Sequence, residues 1–167
     1  MDNKIKLVDI ILPNYNGAKT LKETINSVIN QSFQDFNLYV IDDFSNDKSI
    51  NIIEDYSDPR VNLIKLKKNK GVYFCRNLGM RKSYSKYLAF IDSDDYWQKD
   101  KLKKQIHFMQ KFDHKFTYTD YMPFQEKNNT KIFKRKINVK SKFNRSEFIN
   151  NTSIAMSSVV IERSLIK

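Results

Sequence analysis

The sequence predicts an α/β fold built on a mostly parallel sheet flanked by helices. Two observations carry this expectation. Short apolar runs of strand length alternate with amphipathic stretches of helix length, the pattern of successive βαβ units. Two of the apolar runs also stop abruptly on carboxylates, at Asp42-Asp43 and at Asp92-Ser93-Asp94-Asp95. In an open α/β sheet ligands bind beyond the carboxyl ends of the strands, which is where both acid clusters fall.

In chain order, residues 7–12 form an apolar run interrupted only by Asp9 and end at Pro13-Asn14-Tyr15-Asn16-Gly17, a buried strand opening into a loop. Thr20 and Glu23 have the spacing of a capping box, and Leu21, Ile25, Val28 and Ile29 follow at helical spacing. A second apolar run, 36–41, meets Asp42-Asp43 and a turn-rich stretch. Asp47 there is placed to cap a helix carrying Ile50, Ile53 and Tyr56 that stops before Pro59. Residues 61–66 alternate in part, as a strand nearer the sheet edge does. Asn69-Lys70-Gly71 then turns the chain into a helix over 72–85 with Cys75, Leu78 and Gly79 toward the sheet.

The run 87–91 leads into the second acid cluster. Beyond Trp97, Asp100 is expected to cap a helix with Leu102, Ile106 and Met109 on one face and lysines on the other. Residues 116–121 read as a strand, Asn128-Asn129 as a hairpin turn, 146–149 as a short helix and 157–161 as a last strand.

Composition narrows the class. A chain of 167 residues, 40% hydrophobic and 13% aromatic, suits one folded domain and excludes disorder. With a single cysteine there is no intrachain disulfide and no thiolate metal site, so Cys75 reads as core. His107 and His114 read as surface residues. The N-terminus has no signal-peptide apolar region and no stretch approaches membrane-spanning length, so a cytoplasmic location is expected. The net charge of +11 is mostly lysine, gathered at 65–70, 99–104 and 131–145 without a recognisable nucleic-acid module. A solvated surface is expected, not nucleic-acid binding. The last cluster also suits anionic lipid head groups, a peripheral contact at the inner face of the membrane.

Three carboxylates within four residues, Asp92 to Asp95, repel one another and call for a counter-cation or open water. Hard divalent cations such as Mg2+ or Mn2+ take oxygen ligands of this kind, with substrate phosphates completing the shell. The simpler alternative is a solvated acidic turn leading into the next helix.

Five motifs together carry a resemblance: Leu12-Pro13-Asn14-Tyr15-Asn16; Val40-Ile41-Asp42-Asp43-Phe44-Ser45-Asn46-Asp47; Asn69 and Gly71 with Cys75-Arg76-Asn77 and Gly79; Phe90-Ile91-Asp92-Ser93-Asp94-Asp95; and Ser157-Ser158-Val159-Val160-Ile161-Glu162-Arg163. In this order and spacing the chain resembles family 2 glycosyltransferases of the GT-A (Rossmann-like) fold over nearly its whole length. The resemblance implies an inverting transfer from a nucleotide-diphosphate sugar, UDP-sugar being the first guess, to a glycan or lipid-linked acceptor in bacterial surface polysaccharide synthesis. It places Tyr15 against the nucleotide base, Asp43 as acceptor of a base N–H and Arg76 near the nucleotide. Pro13, Asn16 and Asp92 join this donor-binding set, Asp92 toward the ribose or a water outside the metal's direct ligands, while Asp94 and Asp95 hold the Mn2+ or Mg2+ ion. Asp42 is expected only to cap its turn.

The family's general base is an acid beyond the segment matching 157–163, so it is expected beyond Lys167. On that reading residues 1–121 form the nucleotide-sugar-binding core. Residues 122–167 form the incomplete start of the acceptor side, a hairpin, a short helix and a strand. An apolar edge exposed near 159–165 then favours self-association. Two alternatives stand beside this reading. One is a nucleotide-sugar-binding module that acts with a partner and lacks turnover. The other is a phosphoacceptor receiver domain, disfavoured because the acid pair follows the second strand and no lysine follows a late strand.

Overall fold

The computed structural model describes residues 5–127, 130–150 and 153–166. At its centre lies β1 (Val8–Asn14), buried along its whole length in a six-stranded sheet of order β3-β2-β1-β4-β8-β5. The one acid inside this apolar strand, Asp9, is satisfied locally. It accepts the Tyr84 and Ser85 N–H groups at 2.8 and 2.9 Å and the Asn37 side-chain amide at 3.0 Å. A buried carboxylate is tolerated only with such partners.

Parallel neighbours flank this strand, β2 (Phe36–Asp42) on one side and β4 (Tyr87–Phe90) on the other. Outside β2 lies β3 (Val61–Lys65), the partly exposed edge that its partial alternation predicts. Among the helices, α1 (Leu21–Ile29) and α4 (Lys101–Phe112) bury Leu21, Ile25, Val28, Leu102, Ile106 and Met109 against Val8, Ile10 and Leu12 on one sheet face. The short α2 (Ser49–Glu54) adds Ile53 to this layer. On the opposite face, α3 (Val72–Lys82) brings Cys75 to Ile11, Ile41, Leu88 and Phe90. A Cβ at Gly79 would lie 2.6 Å from Ile11 Cγ2, so α3 approaches β1 closely there.

After β5 (Phe116–Thr117) the chain makes a hairpin of β6 (Phe124–Lys127) and β7 (Thr130–Phe133), then α5 (Arg145–Asn150). The strand β8 (Val160–Glu162) returns antiparallel between β4 and β5. The sheet is therefore mostly parallel with an antiparallel end, and the last strand of the 122–167 segment belongs to the core sheet.

Several expectations change in the fold. Thr20 makes no side-chain cap, because its backbone is helical (φ −114°, ψ −24°) where a cap needs an extended residue. Its hydroxyl donates to the Ser93 carbonyl at 2.8 Å, and Glu23 pairs with Lys131. Asp100 likewise makes no side-chain cap. A reciprocal capping box occurs instead at Asn144 and Glu147, whose side chains each accept the other's N–H, at 2.9 and 3.0 Å. α3 ends at Lys82, before 85, and Asp9 captures the Tyr84 and Ser85 amides just beyond it.

The strand expected over 116–121 stops at Thr117, and Tyr121 leaves the sheet to bridge Ile137. At the chain's end a 3-10 turn occupies Met156–Ser158 before β8 begins. The apolar edge expected near 159–165 is largely internal, because β8 has a strand on each side; Val159 and Val160 are buried and Leu165 is exposed. The Asn128-Asn129 turn and Lys167 lie outside the described residues. Among the described residues no helix is long and apolar enough to cross a membrane.

Candidate functional site

The chain places β2 on one side of β1 and β4 on the other, so the strand order reverses between β1 and β4, a topological switch point. Tyr15 to Gly17 follow β1, and Asp92 to Asp95 follow β4. The two loops touch closely at Gly17. A Cβ there would lie 2.3 Å from Asn14 Oδ1 and 3.2 Å from Ser93 Oγ, so a side chain would force them apart.

On the β2 side, Asp42 is fully buried and organises the turn. Its carboxylate accepts the Asn14 amide at 2.8 Å, the Ser45 N–H at 2.9 Å and the Ser45 hydroxyl at 2.6 Å, which is the capping role expected of it. Asn16 binds this turn to its own loop: its N–H donates to Ser45 Oγ and its side-chain oxygen accepts the Asn46 N–H, both at 2.9 Å. Asp43, 3% exposed, accepts the Lys70 and Gly71 N–H groups, both at 2.7 Å. Gly71 adopts φ +85°, a conformation that favours glycine.

The acidic loop is anchored from several elements. Thr20 and Thr24 of the α1 region both donate to the Ser93 carbonyl, at 2.8 and 2.9 Å. Arg76 on α3 forms a partly buried ion pair with Asp92, and its Nε is buried with no partner among the described residues. Asp94 is exposed. Asp95 is partly buried, and its Oδ2 accepts the Ser157 hydroxyl. Burial pushes the Asp95 carboxyl above its ordinary range; the Ser157 hydrogen bond works against this, and the Asp94 and Asp92 charges add to it.

The expected residues thus gather at one end of the sheet: Tyr15, about half exposed, and Asn16 beyond β1, Asp43 beyond β2, and Arg76 with Asp92, Asp94 and Asp95 beyond β4. Pro13 is placed differently. It is buried within β1 opposite Ile41, so its side chain lines no surface. Sequence reasoning assigned no role to Asn14, Thr20, Thr24 or Ser157 in holding the acids. The pair Ser157-Ser158 ahead of the last strand was the one local signal.

Among the described residues no three His, Cys, Asp or Glu side chains gather into a group able to hold a metal ion. The donor set is two neighbouring carboxylates, Asp94 and Asp95, since Asp92 is already paired with Arg76. Two carboxylates suit a cation that shares its shell with phosphate oxygens and keeps water ligands, the usual arrangement for Mg2+. Such a cation would relieve the Asp94 and Asp92 repulsion that adds to the effect of burial on Asp95.

A mostly parallel α/β sheet carrying acids at its switch point is an architecture of the GT-A type. The family model for glycosyl transferase family 2 matches residues 9–167, and this chain belongs to that family. It is 33% identical over 165 residues to TuaG of Bacillus subtilis, a glycosyltransferase assigned to teichuronic acid biosynthesis, covering 98% of this chain and 65% of TuaG. It is 31% identical over 163 residues to the Escherichia coli enzyme WfaP, a UDP-Glc:alpha-D-GlcNAc-diphosphoundecaprenol beta-1,3-glucosyltransferase, covering 98% of this chain and 63% of WfaP. The chain therefore spans about two thirds of the length of these relatives. Among solved structures, S. aureus TarS 1-349 in complex with UDP-GlcNAc shares the fold, with a TM-score of 0.74 and 24% identity over 95% of this chain and 46% of that one.

Proposed function

We propose that this chain binds the nucleotide-diphosphate sugar in a family 2 glycosyltransferase that transfers the sugar, with inversion, to a lipid-linked or glycan acceptor in bacterial surface polysaccharide synthesis. The observation that carries the proposal is the convergence of Arg76, Asp92, Asp94 and Asp95 at the β1/β4 switch point. WfaP, which acts on a diphosphoundecaprenol acceptor, supports the lipid-linked reading.

In this reading Tyr15 stacks on the nucleotide base. Asp43, while holding Lys70 and Gly71, accepts a base N–H with a remaining lone pair. Asn16 keeps the Tyr15 loop against the turn after β2. Arg76 lies beside the donor, and Asp92, fixed by its guanidinium, faces the ribose. Asp94 and Asp95 would hold a Mn2+ or Mg2+ ion, which when bound neutralises charge growing on the departing diphosphate.

Asp42, Asp43, Asp92 and Asp95 are each engaged by neighbours, so none of them is proposed as the base that deprotonates the acceptor hydroxyl. A cytoplasmic enzyme resting on the membrane's inner face completes the reading, since Lys134 and Arg135 are exposed beside the exposed Ile132 and Phe133 in sequence.

Calorimetric titration with UDP tests the donor site. The expected result is binding in MnCl2 that weakens at least about tenfold in EDTA and in D94N. Equal affinity in EDTA would refute the metal role, and no binding of any nucleoside diphosphate would refute the donor reading.

A further inference from the structure

One residue holds the acidic loop at its beginning, middle and end. Ser157 Oγ accepts the Asp92 N–H at 3.0 Å and donates to Asp95 Oδ2, while the Ser157 carbonyl accepts the Trp97 indole N–H at 2.8 Å. The directions of these bonds are forced. A backbone N–H can only donate, so the single hydroxyl proton remains for the carboxylate, which can only accept when ionised.

Little water competes, because Ser157 and Trp97 are both buried. The position of Ser157 is itself set by the sheet. Val159 and Val160 are buried, β8 pairs with β4, and the Gln105 side-chain amide donates to the Ser158 carbonyl at 3.0 Å.

We infer that Ser157 is a positioning residue for donor binding: by holding Asp95 Oδ2 it orients that carboxylate toward the cation shared with the diphosphate. This rests on the proposed metal role of Asp94 and Asp95. The hydroxyl bond fixes the rotation of a carboxylate that two like-charged neighbours repel, and leaves Oδ1 as the oxygen free for the ion. Without the bond, Asp95 turns away from Asp94 and the pair no longer presents a joined oxygen set. Partners that orient metal ligands commonly contribute 10- to 100-fold to metal affinity.

The test compares wild type, S157A, S157T and D94N in UDP titrations with MnCl2 and with EDTA, with bound Mn2+ counted by electron paramagnetic resonance. S157A is expected to lose about tenfold in UDP affinity in Mn2+ yet match wild type in EDTA, and S157T, which keeps a hydroxyl, to stay within about twofold of wild type. An unchanged S157A beside a weakened D94N would overturn the positioning role while sparing the metal reading. A wild type and D94N that both ignore Mn2+ would overturn the metal reading itself. Equal losses for S157A in Mn2+ and EDTA would show a purely structural role and also overturn the inference. If circular dichroism finds S157A unfolded, S157C replaces it, since a thiol of similar size is a weak donor. The same tenfold loss in Mn2+ is then expected, and wild-type affinity would overturn the role.

Discussion

The Asp43 carboxylate accepts the Gly71 N–H at 2.7 Å, joining the end of β2 to the loop that opens α3. Its other oxygen accepts the Lys70 N–H, so one side chain sets where α3 begins and hence where Arg76 points. D43N turns one acceptor oxygen into an amide that faces a donor. We expect a stability loss of about 2–3 kcal/mol in urea unfolding, with weaker UDP binding. A variant as stable as wild type would show that the 69–71 loop is held by other contacts.

The ion pair of Arg76 with Asp92 separates two electrostatic effects. In R76A the acidic loop loses its cation, so free Mn2+ should bind more tightly. UDP should bind more weakly, by about tenfold or more, because a donor to the nucleotide is gone. Titrating the metal alone and the nucleotide alone tests both signs. A variant that weakens both would mean that Arg76 acts mainly by holding the loop in shape.

Gly79 lies where α3 crosses β1, and a Cβ there would also come within 3.2 Å of Ile41. Helix propensity favours alanine by up to about 1 kcal/mol, while overpacking costs about 1–3 kcal/mol. G79A is expected to be less stable than wild type in thermal unfolding. A gain in stability would show that the Ile11 side chain repacks freely.

Cys75 is buried on the sheet side of α3. Burial, then the neighbouring Asp43 charge, pushes its thiol up to about 12. The thiolate is the reactive form, so alkylation by iodoacetamide at pH 8 should be slow in the native protein and rapid in denaturant. Fast native labelling would place Cys75 in an opened state of α3.

Asp58 accepts the Arg60 side chain at 2.9 Å through Nε and 2.6 Å through a terminal nitrogen. These bonds hold its carboxyl below the ordinary range. A depressed folded value means the stabilisation is full above the unfolded value of about 3.9 and is lost as pH falls through the folded value. D58N should cost about 1 kcal/mol at pH 7, and the gap to wild type should close as pH falls below the ordinary carboxylate range. A gap that persists in acid would assign the effect to packing of Arg60 on Phe36, 4.5 Å from its ring.

Much of this protein was legible in one dimension. The apolar run of β1, the acids ending β2 and β4, and Gly71 before α3 are local signals, because strand length, helical period and turn chemistry arise from neighbours in sequence. Asp43 and the 92–95 cluster could be assigned to one crevice for the same reason: residues following parallel strands emerge at the same end of the sheet. What holds those residues was decided elsewhere. Thr20 looked like a cap yet donates to Ser93, 73 positions away, and Ser157 reaches back 62 positions to Asp95. Pro13 looked like a ligand contact and is buried opposite Ile41, while the last strand slips antiparallel between β4 and β5. Each of these follows from which strands become neighbours and in what register, and a hydrogen bond between groups so far apart leaves no periodic trace along the chain.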